Sequence, residues 1–254
     1  MRTILEPGNP FGPSRYGFAW QHIERCSLAH LDFGCGDGMF LASLANKGIG
    51  RLVGADVPGA ISQAVRSHPD LDFAEVLSGQ RLKFDDETFD SITMLDVLEH
   101  LDDQRGALCE LKRVLKRSGL LIITVPRKHV FSILDLGNLK FRFPRLHRWW
   151  YLRRGSLADY RRRYVENPDG LVGDVSAGKG WHEHFSQASL GALLAGCGFA
   201  VEKIDGTGLF ARPLYVLSLL VKRIGPLSRL IRRLRLADNR AFSRANLFCV
   251  ARRL

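Results

Sequence analysis

Cysteine is sparse. The five residues (Cys26, Cys35, Cys109, Cys197 and Cys249) are odd in number and scattered, and no pair has metal-ligand spacing. They read as reduced thiols of a cytosolic protein. Long apolar runs are missing too. A bilayer span needs roughly 20 apolar residues, and the longest candidate, Leu214 to Val221, is far too short. The first residues, with Glu6, Pro7, Gly8 and Pro10, lack the apolar core of a signal peptide. No internal repeat is visible. Acids are scarce near the end, where Asp238 is the only one from Arg212 onward.

What remains is a globular composition, 46% hydrophobic, with a strong positive excess. Lys and Arg number 37 against 26 Asp and Glu, a formal charge of +11. That balance predicts an anionic partner: nucleic acid, anionic lipid or a phosphorylated substrate.

The chain is organised around Leu31-Asp32-Phe33-Gly34-Cys35-Gly36-Asp37-Gly38. An apolar run leads into three glycines at every second position, and Met39 to Lys47 then reads as a helix. This is a strand, a tight turn and a helix start. Glycine serves where a turn takes positive φ or where backbone must approach a ligand. The helix start offers free N–H groups to a polar ligand. Arg51 to Asp56 reads as a second strand ending in an acid, 20 residues after Gly36. A carboxylate there can accept both hydroxyls of a ribose, so the pattern points to an adenosine-containing ligand.

Further strands are expected at Leu71–Val76, Phe89–Leu95, Leu120–Val125, Phe199–Ile204 and Asn246–Ala251. Helices are expected at Arg15–Arg25, Gly59–Ser67, Asp103–Leu115 and Gln187–Ala195, the last capped by Ser186. The alternation argues for a parallel α/β sheet. Tyr16, Phe18 and Trp20 on the first helix are expected over the ligand pocket. Two stretches break the alternation. From Arg127 to Gly180 the chain is basic and aromatic, with Trp149, Trp150 and Tyr151 among arginines. From Gly206 to Arg244 apolar residues keep helical spacing opposite a face that includes Lys222, Arg223, Arg229, Arg232, Arg233 and Arg235.

Several segments together resemble the class I S-adenosylmethionine-dependent methyltransferases (methyltransferase type 11-like). Leu31 to Gly38 is similar to D-x-G-x-G-x-G, Leu82 to Asp90 to "LPFxDxxFD", Val97 to Leu101 to "VLEHL", and Glu110 to Leu121 to "ExxRVLKPGGxL". His184 to Phe199 resembles "HxxxFTxxxLxxLLxxAGF". The resemblance implies an α/β, Rossmann-like doubly wound and mostly parallel seven-stranded sheet, with helices on both faces and basic insertions after strands 5 and 6. It implies one methyltransferase domain over 1–254, with an N-terminal arm and helix at 1–27, a substrate-side insertion at 127–183 and a basic amphipathic insertion at 206–245.

It also implies S-adenosyl-L-methionine as cofactor. Gly34, Cys35, Gly36 and Gly38 would line the methionine moiety, Asp32 would orient its amino group, and Asp56 with Val57 would hold the ribose. Met94, Leu95 and Asp96 would lie beside the cofactor. Where the family often carries an acid for the adenine, this sequence has Ser78-Gly79-Gln80, so Ser78, Gln80 or a backbone group takes that place. A hydroxyl or amine acceptor needs a base, and histidine titrates near neutrality. His184 is the first candidate, His100 the second. His182 and His184 lack a third ligand, so no metal is expected. The acceptor is expected to be a small-molecule, lipid-linked or glycan-type compound, met by a cytoplasmic enzyme that is peripheral at an anionic inner membrane surface. RNA held by the basic aromatic insertion is the alternative, and a non-catalytic cofactor-binding interaction protein is a third. Oligomeric state is left open.

Overall fold

The computed structural model describes residues 9–76, 81–134, 142–166, 183–221 and 224–254. Seven strands form one sheet: β1 (Ala29–Phe33), β2 (Arg51–Asp56), β3 (Asp72–Glu75), β4 (Phe89–Leu95), β5 (Leu115–Pro126), β6 (Phe199–Asp205) and β7 (Asn246–Arg253). Their order is β3-β2-β1-β4-β5-β7-β6. All neighbours run parallel except β7, which is antiparallel to both β5 and β6. The order reverses between β1 and β4, and that reversal opens a crevice beyond the carboxyl ends of the strands.

The helices are α1 (Arg15–His22), α2 (Met39–Ser43), α3 (Pro58–Ser67), α4 (Gln104–Val114), α5 (Pro144–Leu152), α6 (Leu157–Arg161), α7 (Gln187–Gly196), α8 (Ala211–Leu220) and α9 (Gly225–Ala241). They cover the two faces of the sheet with separate apolar clusters. On one face Leu108, Leu111 and Val114 of α4 and Leu190 and Leu194 of α7 pack on Leu31, Ile92, Met94 and Ile123. On the other, Phe18, Ala19 and Trp20 of α1 and Phe40, Leu41 and Leu44 pack on Leu95, Ile122, Phe248 and Val250. Strands covered on both sides are largely apolar, as in β5, where Thr124 is the one polar residue from Leu121 to Val125.

Four expectations change. The helix from Met39 tightens into a 3₁₀ turn at Leu44–Lys47, where Gly48 ends it at φ 69°. β5 begins at Leu115 rather than Leu120. Leu115 pairs with Phe89 and Leu120 with Ser91, so the intervening residues bulge, with Ser118 at φ 58°. Phe18 and Trp20 lie in the core beneath α1 instead of over the pocket. Phe18 meets the Phe248 ring at 5.4 Å, and Lys47 Nζ sits 4.1 Å from the Trp20 ring centre. Only Tyr16 of the three faces the glycine-turn side, stacked on Phe40 at 5.5 Å. The basic stretch after β6 is two helices, and α9 is the amphipathic one. Lys222 and Arg223, expected on the basic face, lie outside the described residues.

Candidate functional site

The glycine turn connects β1 to α2 at the crevice. Gly34, Gly36 and Gly38 have φ of 81°, 57° and 81°, the left-handed region that side chains resist. Gly34 and Cys35 donate their N–H groups to Ala55 O at 2.7 and 3.3 Å, so the turn is stitched to β2. Two of the glycines are dictated by neighbours. A Cβ at Gly34 would fall 2.2 Å from Val97 Cγ2, and one at Gly38 would meet His68 and Phe73 at 3.1 Å. Gly36 differs, because a Cβ there would meet nothing within 4 Å. Its missing side chain leaves open space against half-buried backbone.

Asp56 ends β2 beside that space. Its Oδ2 accepts the Gly36 N–H at 2.7 Å and its Oδ1 accepts the Val57 N–H at 2.7 Å. Burial raises the Asp56 pKa, against the lowering effect of these two N–H donors. Each oxygen keeps a further lone pair for a hydroxyl donor.

Asp32 lies below the turn on β1, 3% exposed. It belongs to a buried relay. Thr93 Oγ1 donates to Asp32 Oδ1 at 2.7 Å, His30 Nε2 lies 3.0 Å from Thr93 Oγ1, and His30 Nδ1 lies 2.8 Å from Ser91 Oγ. The Thr93 proton points at the carboxylate, so His30 donates from Nε2 and accepts the Ser91 hydroxyl at Nδ1. Every member is satisfied with His30 neutral. Burial, and then Lys47, lowers the His30 pKa to about 3. Burial pushes Asp32 up to about 7, moderated by the Thr93 hydroxyl and raised further by Asp56.

Asp96 follows β4 with φ 57°, an uncommon conformation for a residue with a side chain. Its N–H donates to Thr124 O at 2.9 Å, its Oδ1 accepts Thr124 Oγ1 at 2.6 Å, and its Oδ2 pairs with Arg15 of α1. Arg15 also donates to the Tyr16 hydroxyl at 2.9 Å. The first helix therefore reaches across the strand ends.

Asp32, Gly34, Cys35, Gly36, Gly38, Asp56, Val57 and Asp96 thus gather at one end of the sheet. Cys35 is 7% exposed, and burial raises its pKa, so only its backbone is offered. The Met94 side chain is fully buried in the core on one face, and Leu95 packs into the cluster on the other. Ser78 and Gln80 lie outside the described residues, as does His182.

His100 and His184 sit at the same edge, after β4 and beside the end of β5. His100 closes the short turn Leu98–His100 after β4. His184 sits beside the end of β5, where Phe185 N–H donates to Pro126 O at 2.9 Å and Lys128 N–H to Phe185 O at 2.8 Å. Gln104 Nε2 donates both to Leu98 O at 3.1 Å and to Glu183 Oε2 at 2.8 Å. One amide therefore ties the His100 turn to the His184 segment. A third histidine, His129, was missed from sequence. Its pKa is lowered to about 4 by burial, then by Arg212, His184 and Arg127. It stands three residues past Pro126, and that position at a strand's carboxyl end is the signal that could have found it. No group of His, Cys, Asp and Glu among the described residues could hold a metal.

Comparison with known proteins gives the geometry a context. Residues 31–123 match the model of a family described as "Methyltransferase domain". The chain is 28% identical over 139 residues to a ubiquinone biosynthesis O-methyltransferase of Alkalilimnicola ehrlichii, covering 51% of this chain and 56% of that protein. It is 24% identical over 130 residues to the enzyme of that name from Neisseria meningitidis, covering 49% and 55%. The match thus spans about half the length of these curated relatives. Among solved structures, the YcgJ protein of Bacillus subtilis superposes with a TM-score of 0.57 at 15% identity, covering 94% of this chain and 97% of that one. An S-adenosylmethionine-dependent methyltransferase from Mesorhizobium loti gives 0.56 at 15% identity, covering 94% and 98%. At such identities the likeness is one of fold.

Proposed function

We propose that this chain, which carries a class I S-adenosylmethionine-dependent methyltransferase domain, transfers a methyl group from S-adenosyl-L-methionine to an acceptor bound over β4, β5 and β7. The observation that carries the reading is the open space at Gly36 beside a half-buried carboxylate that keeps lone pairs free. The residues fit the cofactor. Asp56 would accept the ribose hydroxyls, the turn Gly34–Gly38 would offer backbone to the methionine end, and Asp32 would hold its ammonium from below. The cofactor supplies an activated methyl on a sulfonium. The protein positions that group, sets Asp56 and Asp32 around it, and holds a base for the acceptor.

His184 remains the first candidate base and His100 the second, with His129 beside them. Such a base takes the acceptor's proton as the oxygen or nitrogen attacks. The curated relatives carry the name O-methyltransferase, which favours oxygen as the accepting atom here.

The acceptor is a small lipid-linked or glycan-type molecule met at an anionic membrane surface. Apolar residues of α8 stand in solvent, with Leu220 77% exposed and Leu219 48%. Trp149 and Trp150 on α5 are half exposed, and their rings lie 4.4 and 5.6 Å from the Arg153 and Arg154 guanidinium carbons. Tryptophan beside arginine suits the headgroup zone. No described helix is long and apolar enough to cross a membrane.

Isothermal titration with S-adenosylmethionine and S-adenosylhomocysteine tests the cofactor. Micromolar binding lost in Asp56→Ala is expected, and no binding by folded wild-type protein would end the methyltransferase reading. Sedimentation with anionic and neutral vesicles tests the surface. Equal binding to both, or to neither, would remove the membrane from the account.

A further inference from the structure

Two cysteines that are far apart in sequence meet on one face of the sheet. Cys109 lies in α4, and Cys197 caps the end of α7. Leu108 and Leu111 of α4 and Leu190 and Leu194 of α7 share one apolar cluster, and Cys197 belongs to it. The turn Gly196-Cys197-Gly198 rests on α4. A Cβ at Gly196 would fall 2.9 Å from Arg105 Nη2, and one at Gly198 would run into Lys112 Nζ. Arg105, Cys109 and Lys112 follow at helical spacing and form one stripe of α4. Cys197 thus lies between the two glycines as Cys109 lies between the two cations, and the thiols share a hydrogen bond.

The two sulfurs are held differently. Cys109 is exposed, so small solutes reach it, whereas Cys197 is 5% exposed. The Cys197 N–H donates to Leu194 O at 3.0 Å. Gly198 follows at φ 79° and donates its N–H to Ala195 O at 3.0 Å. The Gly198 carbonyl accepts the Leu254 N–H at 3.1 Å, so the turn is also pinned by the end of the chain. Cys109 stands in the middle of α4. Both backbones are therefore fixed, and folding itself brings the thiols together.

The charges around the pair suit reaction. Burial and then Cys109 raise the Cys197 pKa, and Arg105 and Lys112 lower it. Cations beside thiols favour the thiolate, the form that reacts with oxidants. Glu110, the neighbouring acid on α4, is held by Arg113 and by the Leu82 N–H. The other cysteines lack this arrangement. Asp32, Asp56 and Asp37 stand around buried Cys35, burial alone raises Cys249 to about 12, and Cys26 Sγ lies beside Gly48.

We propose that Cys109 and Cys197 form a reversible disulfide, with a peroxide or a small-molecule disulfide as oxidant. With hydrogen peroxide, the Cys109 thiolate takes one oxygen as the O–O bond breaks, and the hydroxide leaves as water with the proton the thiol gave up. The Cys197 sulfur then attacks the sulfenic sulfur of Cys109. The S–O bond breaks, and a second water leaves with the Cys197 proton. Two thiols and one peroxide thus give one disulfide and two waters. With a small-molecule disulfide, exchange at Cys109 and then attack by Cys197 release two small thiols. The link closes residues 109–197 into a loop that carries β5, the basic aromatic stretch and His184. Closing a long loop constrains the unfolded chain, so oxidation stabilises the fold. The inference goes beyond the methyl transfer and stands whether or not that reading holds.

The test uses the full chain. The folded protein is treated with hydrogen peroxide or with glutathione disulfide, its free thiols are blocked with iodoacetamide, and it is digested without reductant. Mass spectrometry should find the Cys109 and Cys197 peptides joined, lighter than their sum by two hydrogens. Oxidation should raise Tm by about 5 °C or more, and dithiothreitol should return it. Cys109→Ser changes an exposed position and should abolish both the joined peptide and the Tm shift. In Cys197→Ala, Cys109 should stop at the sulfenic acid, trapped by dimedone, or at the mixed disulfide with glutathione. Cys109→Ser decides the matter even where the buried Cys197→Ala loses the fold. Thiols that stay reduced, joined peptides between other cysteines, wild-type Cys109 carrying only sulfinic acid or glutathione, or a joined peptide with no reversible Tm shift would overturn the inference.

Discussion

Asp32→Asn should stabilise the fold and injure the site. The carboxyl is raised from its ordinary 3.8 to about 7, with burial the leading cause. An acid whose folded pKa lies above its unfolded one takes up a proton on folding between those two pH values. Its contribution to stability therefore falls as pH rises through the window from about 4 to about 7, and the loss is complete above it. At about 1.4 kcal/mol per tenfold change, that window is worth about 4 kcal/mol. Asparagine keeps the Oδ1 that accepts the Thr93 hydroxyl at 2.7 Å and carries no charge. Urea unfolding of both proteins from pH 4 to pH 8 gives the comparison. The variant should gain on wild type steadily with pH, by up to about 4 kcal/mol, while cofactor affinity falls. Wild-type affinity should climb with pH through about 7, because a cofactor ammonium prefers the ionised carboxylate, and the variant's affinity should stay flat. Parallel stability curves would mean that Asp32 is not held in an unfavourable charged state. The buried relay from Ser91 to Asp32 would then need another explanation.

Gly36→Ala separates ligand space from folding. A methyl at φ 57° costs about 1 kcal/mol and meets nothing within 4 Å, so urea unfolding should move little while calorimetric cofactor affinity drops more than about tenfold. Gly34→Ala should behave oppositely, since its Cβ would lie 2.2 Å from Val97 Cγ2. A loss of about 2–4 kcal/mol is expected, partly recovered in the double variant with Val97→Ala. Asp238→Ala strips the Leu209 and Phe210 N–H groups of their acceptor. It should cost about 1–3 kcal/mol and raise amide exchange across α8 before the sheet is affected.

The glycine turn and most strand positions were legible because period and punctuation are local. Arg51–Asp56 and Phe89–Leu95 agree with the structure residue for residue. The start of β5 was not legible. Leu115 reads as the last apolar residue of α4, and only its pairing with Phe89 makes it a strand residue. Which aromatic of α1 faces the crevice was equally hidden. Tyr16, Phe18 and Trp20 sit two apart in sequence, and what buries the last two is contact with Phe248 and Lys47, which are distant in the chain. Met94, near the carboxyl end of β4, has its side chain turned into the core by strand alternation.

Which charged residues meet along the strand ends follows from the order of the strands rather than from any one motif. β1, β2 and β4 are contiguous in space, so acids spread from position 32 to position 96 converge on one crevice. β5, β7 and β6 are contiguous on the other side, so Arg127, Asp205 and Arg244, far apart in sequence, come to one edge. The antiparallel β7 makes this possible, since it brings the residues before a strand to the edge where its neighbours end. Arg15, bound to Asp96 between the halves, is a cation that stands on the acidic side. Its partner is a carboxylate already anchored by Thr124. The pair therefore holds α1 across the crevice while Asp56 and Asp32 keep their own partners.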